Sequence, residues 1–185
     1  MTKSTWIKDL IWYIFLVIAL VLLRVFVFTP VTVSGESMMP TLVDGERNIA
    51  LKMGDTKRFD IVSLVAPDDP SKNYVKRVIG MPGDTVEYKD DVLYINGEKV
   101  DEPYLDEKKA DLKETNPNDN LTYDFTLKSV TGKDTVPENT YFVMGDNRQN
   151  SKDSRFPEVG FIPKENIIGK SKIAFWPPSK WGMFK

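Results

Sequence analysis

The chain has 185 residues, 41% of them hydrophobic, with 25 Lys+Arg against 27 Asp+Glu, a net charge of −2 and a sequence pI near 5.3. It contains neither histidine nor cysteine, which excludes a disulfide scaffold, a thiol nucleophile, Cys-ligated zinc and every imidazole-based mechanism, and argues against a zinc hydrolase. The charge balance argues against a nucleic-acid partner, and the length suits one anchor segment plus one or two small domains with no cofactor.

From Leu10 to Leu23 every residue is apolar, and Val25-Phe26-Val27-Phe28 follows Arg24. The resulting stretch of about 19 residues is close to what a helix needs to cross a bilayer. Arg24 lies near one end, where it can snorkel, and Trp6, Trp12 and Tyr13 suit the interface at the other. No Ala-x-Ala pattern follows the stretch, so it does not read as a cleaved signal peptide, and its first turns lack the polar face of a soluble helix. A retained transmembrane helix over 10–28 is expected, with residues 1–9 (including Lys3 and Lys8) cytoplasmic and the rest extracytoplasmic.

Beyond Pro30 the pattern becomes β-like. Val31-Thr32-Val33 is extended and β-branched, and strands are predicted at Asn48–Met53, Asp60–Val65, Tyr74–Ile79, Thr85–Lys89, Val92–Ile95, Tyr123–Leu127, Thr140–Met144 and Ile167–Phe175. Asn96-Gly97 between Val92–Ile95 and Glu98–Val100 is a two-residue hairpin signal, because both turn positions must accept positive φ. Residues 101–120 read as a charged excursion with a short helix around Leu105–Leu112. The expected fold is therefore mainly β: a catalytic β domain over 31–88 and 138–185, with a smaller β region inserted at 89–137.

Three clusters carry candidate chemistry. Ser37, in Gly35-Glu36-Ser37-Met38-Met39-Pro40, is a turn serine flanked by a permissive glycine and by methionines suited to a pocket for small side chains. A nucleophilic serine needs a base, and the best-placed one is Lys76 in Tyr74-Val75-Lys76-Arg77-Val78-Ile79-Gly80. Strand alternation sets Tyr74, Lys76 and Val78 on one face, with Val75, Arg77 and Ile79 on the other. Lowering a lysine from about 10.4 to near 7 requires roughly 4–5 kcal/mol, which burial without a carboxylate partner supplies. The third cluster runs from Gly145 to Arg155. Its hydroxyls Ser151 and Ser154 can orient a neutral lysine, and Asp146, Arg148, Asp153 and Arg155 can cross-link the site, with Asp146 a natural partner for Arg77.

Ser37-Met38-Met39-Pro40-Thr41-Leu42, Lys76-Arg77-Val78-Ile79-Gly80-Met81-Pro82-Gly83-Asp84 and Gly145-Asp146-Asn147-Arg148 through Ser151, Asp153, Ser154 and Arg155 together resemble the type I signal peptidase family. The resemblance, to its Gram-positive form, runs from the apolar segment to Phe175-Trp176-Pro177. It implies a membrane-anchored serine endopeptidase that cuts signal peptides from secreted preproteins after Ala-x-Ala, with Ser37 as nucleophile and Lys76 as general base. It further implies that Ser151 orients the lysine, and that Asp146, Arg77, Asp153 and Arg155 hold the site together. Met38, Leu42 and Tyr74 would line the pocket for the residue before the cut. Preprotein signal peptides and membrane lipid are the partners implied, and proximity to the secretion translocon stays open. The sequence departs from some relatives at Gly35, where they carry a serine that helps bind the oxyanion. Here that hole rests on the Ser37 backbone N–H and a donor other than a residue-35 hydroxyl.

Two alternatives stand beside this reading. A soluble Ser–Lys self-cleaving repressor-type protease would lack the apolar anchor and carry an N-terminal DNA-binding region. A catalytically silent, membrane-tethered binding protein of the same fold would have lost Ser37 or Lys76.

Overall fold

The computed structural model describes residues 3–183, so the first two residues of the expected cytoplasmic segment and the last two of the chain lie outside it. Helix α1 spans Lys3–Phe26, ending on Arg24 in its last turn. Its Trp6–Phe26 portion has a mean hydropathy of 2.3 and no buried residue. At about 1.5 Å per residue, 21 residues reach the roughly 30 Å of a bilayer's hydrocarbon core. The helix stops two residues short of the expected span, because Phe28 already belongs to strand β1 (Phe28–Thr32). The junction is tied to strand β2 (Arg47–Leu51) just beyond its end: Lys52 N donates to Val27 O and Lys52 Nζ to Val25 O, both at 2.9 Å.

The remaining strands are β3 (Ile61–Val65), β4 (Asn73–Gly80), β5 (Val86–Lys89), β6 (Val92–Ile95), β7 (Glu98–Val100), β8 (Phe125–Thr126), β9 (Thr140–Met144), β10 (Ile162–Pro163), β11 (Ile167–Trp176) and β12 (Gly182–Met183). They form two antiparallel sheets. The larger runs β1-β2-β11-β3-β4-β9-β10 with β12 added to β11, and the smaller runs β7-β6-β5-β8. The smaller sheet takes in β5 and so starts at Val86, ahead of residue 89.

Pro30 sits in β1, an edge strand, where its missing N–H breaks no ladder. Asn96 and Gly97 have φ of +54° and +82°, as their turn requires. Asp90-Asp91 makes a second two-residue turn, with φ of +51° and +62°, that its sequence does not announce. There the Asp91 carboxylate accepts from Leu121 N and Thr122 N, so tertiary bonds offset the backbone strain.

The predicted helix near Leu105 appears as a 3-10 turn at Pro103–Leu105 leading into α2 (Asp106–Thr115). The predicted strand Tyr123–Leu127 is mostly replaced. Only Phe125–Thr126 pairs, and Thr126 then caps the short helix α3 (Leu127–Thr131), accepting from Ser129 N while the Ser129 hydroxyl accepts from Thr126 N.

Strand β4 is central, and its last six residues are buried. Ile79 joins Tyr88, Leu93, Phe125, Phe142 and Met144 in a core shared by both sheets. Val75 packs with Val31, Met38, Leu42 and Ile61, and Val78 with Val62, Leu64 and Val143. Burial of this many apolar side chains at about 25 cal/mol per Å² holds β4 rigidly. At Gly80 a Cβ would lie 2.9 Å from Val136 and 3.1 Å from the Phe142 Cβ, so only glycine fits where the two sheets meet.

Candidate active site

Ser37 lies in a turn between β1 and β2, closed by Met39 N donating to Glu36 O at 3.1 Å and Leu42 N donating to Met38 O at 3.0 Å. Met38 and Leu42 pin this turn from below, both fully buried in the patch around Val31, Val33 and Val75. Upstream, Gly35 has φ of +84° and its N–H donates to Asp44 Oδ1 at 2.7 Å. Glycine takes this conformation without strain, whereas a serine hydroxyl here would come with a backbone cost of about 1–3 kcal/mol.

Lys76 Nζ donates to Ser37 Oγ at 2.7 Å, joining residues 39 apart in sequence. Lys76 is 3% exposed and stands 5.2 Å from the centre of the Tyr74 ring, its neighbour on the same strand face. Burial is the main cause that lowers its pKa to about 8. Asp153 and Asp146 pull it upward, and the Arg155 charge partly cancels them. A neutral amine at this distance can receive the hydroxyl proton along the same line.

Arg77 points the other way. Its Nε and Nη2 donate to the two oxygens of Asp146 at 2.8 and 2.6 Å, its Nη1 to Phe59 O at 3.0 Å, and its guanidinium stacks 3.7 Å from the Tyr104 ring centre. Thr41 Oγ1 also donates to Asp146, at 2.5 Å, so this carboxylate links β4, the serine turn and the end of β9. Asp153 accepts a two-bond fork from Arg155, each bond 2.8 Å, and a bond from Gly145 N at 3.0 Å. These charges are buried, and each is matched by opposite charge and hydrogen bonds, as burial requires.

The two hydroxyls of the loop behave differently. Ser154 Oγ accepts from Val143 N at 2.9 Å and serves the backbone. Ser151 Oγ is buried and makes no hydrogen bond. It lies with the Ser37 carbonyl against Gly145, where a Cβ would collide with both. Tyr74 is half-buried, its hydroxyl donating to Asp68, and faces a groove of about 480 Å³ lined by Thr29, Val31, Ser34, Asn73 and Ile168. Of the three residues expected to line a pocket, Tyr74 borders this groove, while Met38 and Leu42 lie in the core beneath the serine turn.

Further residues hold the site, and Glu102 and Lys108 among them escape sequence reading. Arg148, expected as a cross-linking charge, is 2% exposed and donates to Gly145 O, Tyr88 Oη and Glu102, its bond to Glu102 being 2.6 Å. This ties the loop after β9 to the smaller sheet. Asn147 N donates to Ser37 O and Asn147 Nδ2 to Glu36 O, both at 3.0 Å. Lys108 on α2 reaches Asn147 Oδ1 at 2.5 Å. Lys108 and Glu102 sit in the charged excursion, where nothing in local pattern separates them from solvated neighbours.

Residues 4–176 match the family described as signal peptidase, peptidase S26. The chain is 46% identical over 182 residues to signal peptidase I of Bacillus caldolyticus, covering 96% of each chain. It is 50% identical over 176 residues to signal peptidase I S of Bacillus subtilis, covering 93% of this chain and 88% of that one. A crystal structure of a signal peptidase I from Enterococcus faecalis superposes with a TM-score of 0.59 at 43% identity, covering 64% of this chain and 98% of that chain. An apolar N-terminal helix consistent with a membrane anchor, a two-sheet antiparallel domain and these matches make one case: the chain belongs to the signal peptidase family, peptidase S26, and is a serine endopeptidase of the signal peptidase I type.

Proposed function

We propose that the chain removes signal peptides from secreted preproteins after Ala-x-Ala-like sites by means of a Ser37–Lys76 dyad. The observation that carries this reading is the 2.7 Å contact between a buried lysine and a half-buried serine in a protein without histidine. In the first step Ser37 Oγ bonds to the scissile carbonyl carbon while its proton passes to Lys76 Nζ. The carbonyl oxygen becomes an oxyanion facing the Ser37 N–H, a donor of the kind that contributes about 3–4 kcal/mol. Collapse breaks the C–N bond, and Lys76 returns the proton to the leaving amine. Lys76 then takes a proton from water as the hydroxide attacks the ester carbonyl, and returns it to Ser37 Oγ as the C–O bond to the serine breaks. The signal peptide leaves as a carboxylic acid that ionises to its carboxylate in solvent.

Ser151, with its unpartnered buried hydroxyl beside the Ser37 carbonyl, is the acceptor we assign to Lys76 when Ser37 Oγ moves to the substrate. Asp146 with Arg77, and Asp153 with Arg155, hold the two loops in register. The substrate lies extended in the groove beside Tyr74. β1 offers a free edge there, and β4 is unpaired toward β9 before Arg77, so main-chain bonds give affinity while side-chain pockets select small residues. The N-terminus faces the cytoplasm, α1 contacts lipid, and the β domain works on the outer side near the point where preproteins emerge.

Detergent-solubilised protein should cleave a preprotein at its Ala-x-Ala site, and Ser37→Ala and Lys76→Ala should each abolish turnover while leaving the fold intact. Wild-type rates in either variant would remove the dyad.

A further inference from the structure

Helix α2 approaches the serine turn from outside the main sheet. It starts from a rigid base: Leu105 is fully buried, and Glu102 and Tyr104 just before it are held by the buried Arg148. From the first turn of α2, Lys108 Nζ donates to Asn147 Oδ1 at 2.5 Å and also lies 3.4 Å from Met39 O. An Asn amide has one acceptor end and one donor end. With an ammonium on Oδ1, Nδ2 must face the other way, and there it donates to Glu36 O at 3.0 Å, anchoring from outside the turn an oxygen that Met39 N bonds from within it at 3.1 Å.

Glu36 C=O and Ser37 N–H belong to one planar peptide group, so fixing the oxygen fixes the direction of the N–H. Among the described residues that N–H donates to nothing. It is the donor aimed at the developing oxyanion, and a donor helps only if it is oriented before the reaction. We propose that Lys108 is a positioning residue for peptide cleavage: through Asn147 it sets the plane of the Glu36–Ser37 peptide and so aims the Ser37 N–H. This rests on the reading of Ser37 as nucleophile.

The contact forms only when charge develops, so its loss should appear in kcat rather than in KM. Removing an oxyanion donor outright costs about 10²–10³ in rate, and releasing its support should cost on the order of 10-fold. In detergent-solubilised enzyme acting on a preprotein, Lys108→Met should lower kcat by about that factor with KM and the urea midpoint nearly unchanged. Lys108→Arg, which keeps a donor for Oδ1, should restore most of the rate. Asn147→Asp keeps the partner of Lys108 but replaces the donor to Glu36 O by an acceptor, and should lose at least as much. The Lys108→Met/Asn147→Asp double variant should be no slower than Asn147→Asp, since both changes break one chain of contacts. A kcat for Lys108→Met within twofold of wild type, a loss confined to KM, no rescue by arginine, or losses that multiply in the double variant would each overturn the proposal. If Ser37→Ala stays active instead, the nucleophile reading itself fails, so the two failures are distinct.

Discussion

Replacing Lys76 by methionine should abolish cleavage and yet stabilise the folded enzyme near neutral pH. Lys76 is 3% exposed, and burial lowers its pKa from 10.5 to about 8. Below about pH 8 the ammonium is charged in folded and unfolded chains alike, and the folded state bears the full cost of its burial. At 1.36 kcal/mol per tenfold that cost is about 3 kcal/mol. As pH rises past 8 the folded protein sheds the proton while the unfolded chain keeps it, so wild-type stability climbs until about 10.5, where both forms are neutral. Methionine keeps most of the side-chain volume without the charge. It forfeits the bond to Ser37, worth about 1 kcal/mol, leaving a gain of about 2 kcal/mol near pH 7. Urea unfolding of both proteins in detergent across pH 7 to 10.5 measures the difference, and other lysines and tyrosines titrate equally in the two and cancel. A Lys76→Met protein less stable than wild type near pH 7, or a difference that does not shrink with rising pH, would refute the desolvated-lysine argument.

The same pKa bears on rate: kcat/KM should follow the neutral form of Lys76 in the free enzyme, with about a tenth of its plateau value near pH 7 and a plateau above pH 9, and a flat profile would exclude Lys76 as base. Asp146→Asn strands the buried Arg77 guanidinium and should cost about 3–5 kcal/mol in urea unfolding, part of which Arg77→Met in the same chain should restore. Gly145→Ala would drive a methyl group into Ser151 and the Ser37 carbonyl, and should lower kcat by about 100-fold in the cleavage assay, since displacing the nucleophile by a fraction of an ångström misaligns attack. Gly80→Ala should lower stability by about 1–3 kcal/mol through overpacking between the sheets, with activity of the folded fraction retained.

Local pattern carried much of the fold because its causes are local. An apolar run without a polar face reads as α1, Val92–Ile95 and Thr140–Met144 form strands with the predicted limits, and Asn96-Gly97 forms its turn because few other pairs accept positive φ. Tyr123–Leu127 misled for the opposite reason. Its β-propensity is real, but a Thr126 cap and burial of Leu127 against Tyr88 and Phe142 start a helix after two paired residues. The turn at Asp90-Asp91 was equally hidden, since the bonds that stabilise it come from about 30 residues downstream.

The site divides in the same way. Missing histidine, a serine turn behind an apolar span and a strand lysine with Tyr74 and Val78 on its own face are linear facts, and they suffice to name Ser37 and Lys76 as a candidate pair. Arg77 with Asp146 follows from alternation, which sends Arg77 away from Lys76 in search of a counter-charge. The sequence by itself therefore determined the anchor, the β-rich class and the chemistry on offer. Only the tertiary structure decided that Met38 and Leu42 pin the turn from within the core, that Ser151 is left unpartnered, that Arg148 ties the loop after β9 to the smaller sheet through Glu102, and that Lys108 reaches Asn147 from α2. The physical reason is range: periodicity and turn chemistry act over a few residues, whereas desolvation, ion pairing and carbonyl support depend on groups about 40 to 110 residues apart that share a site only once both sheets close over β4.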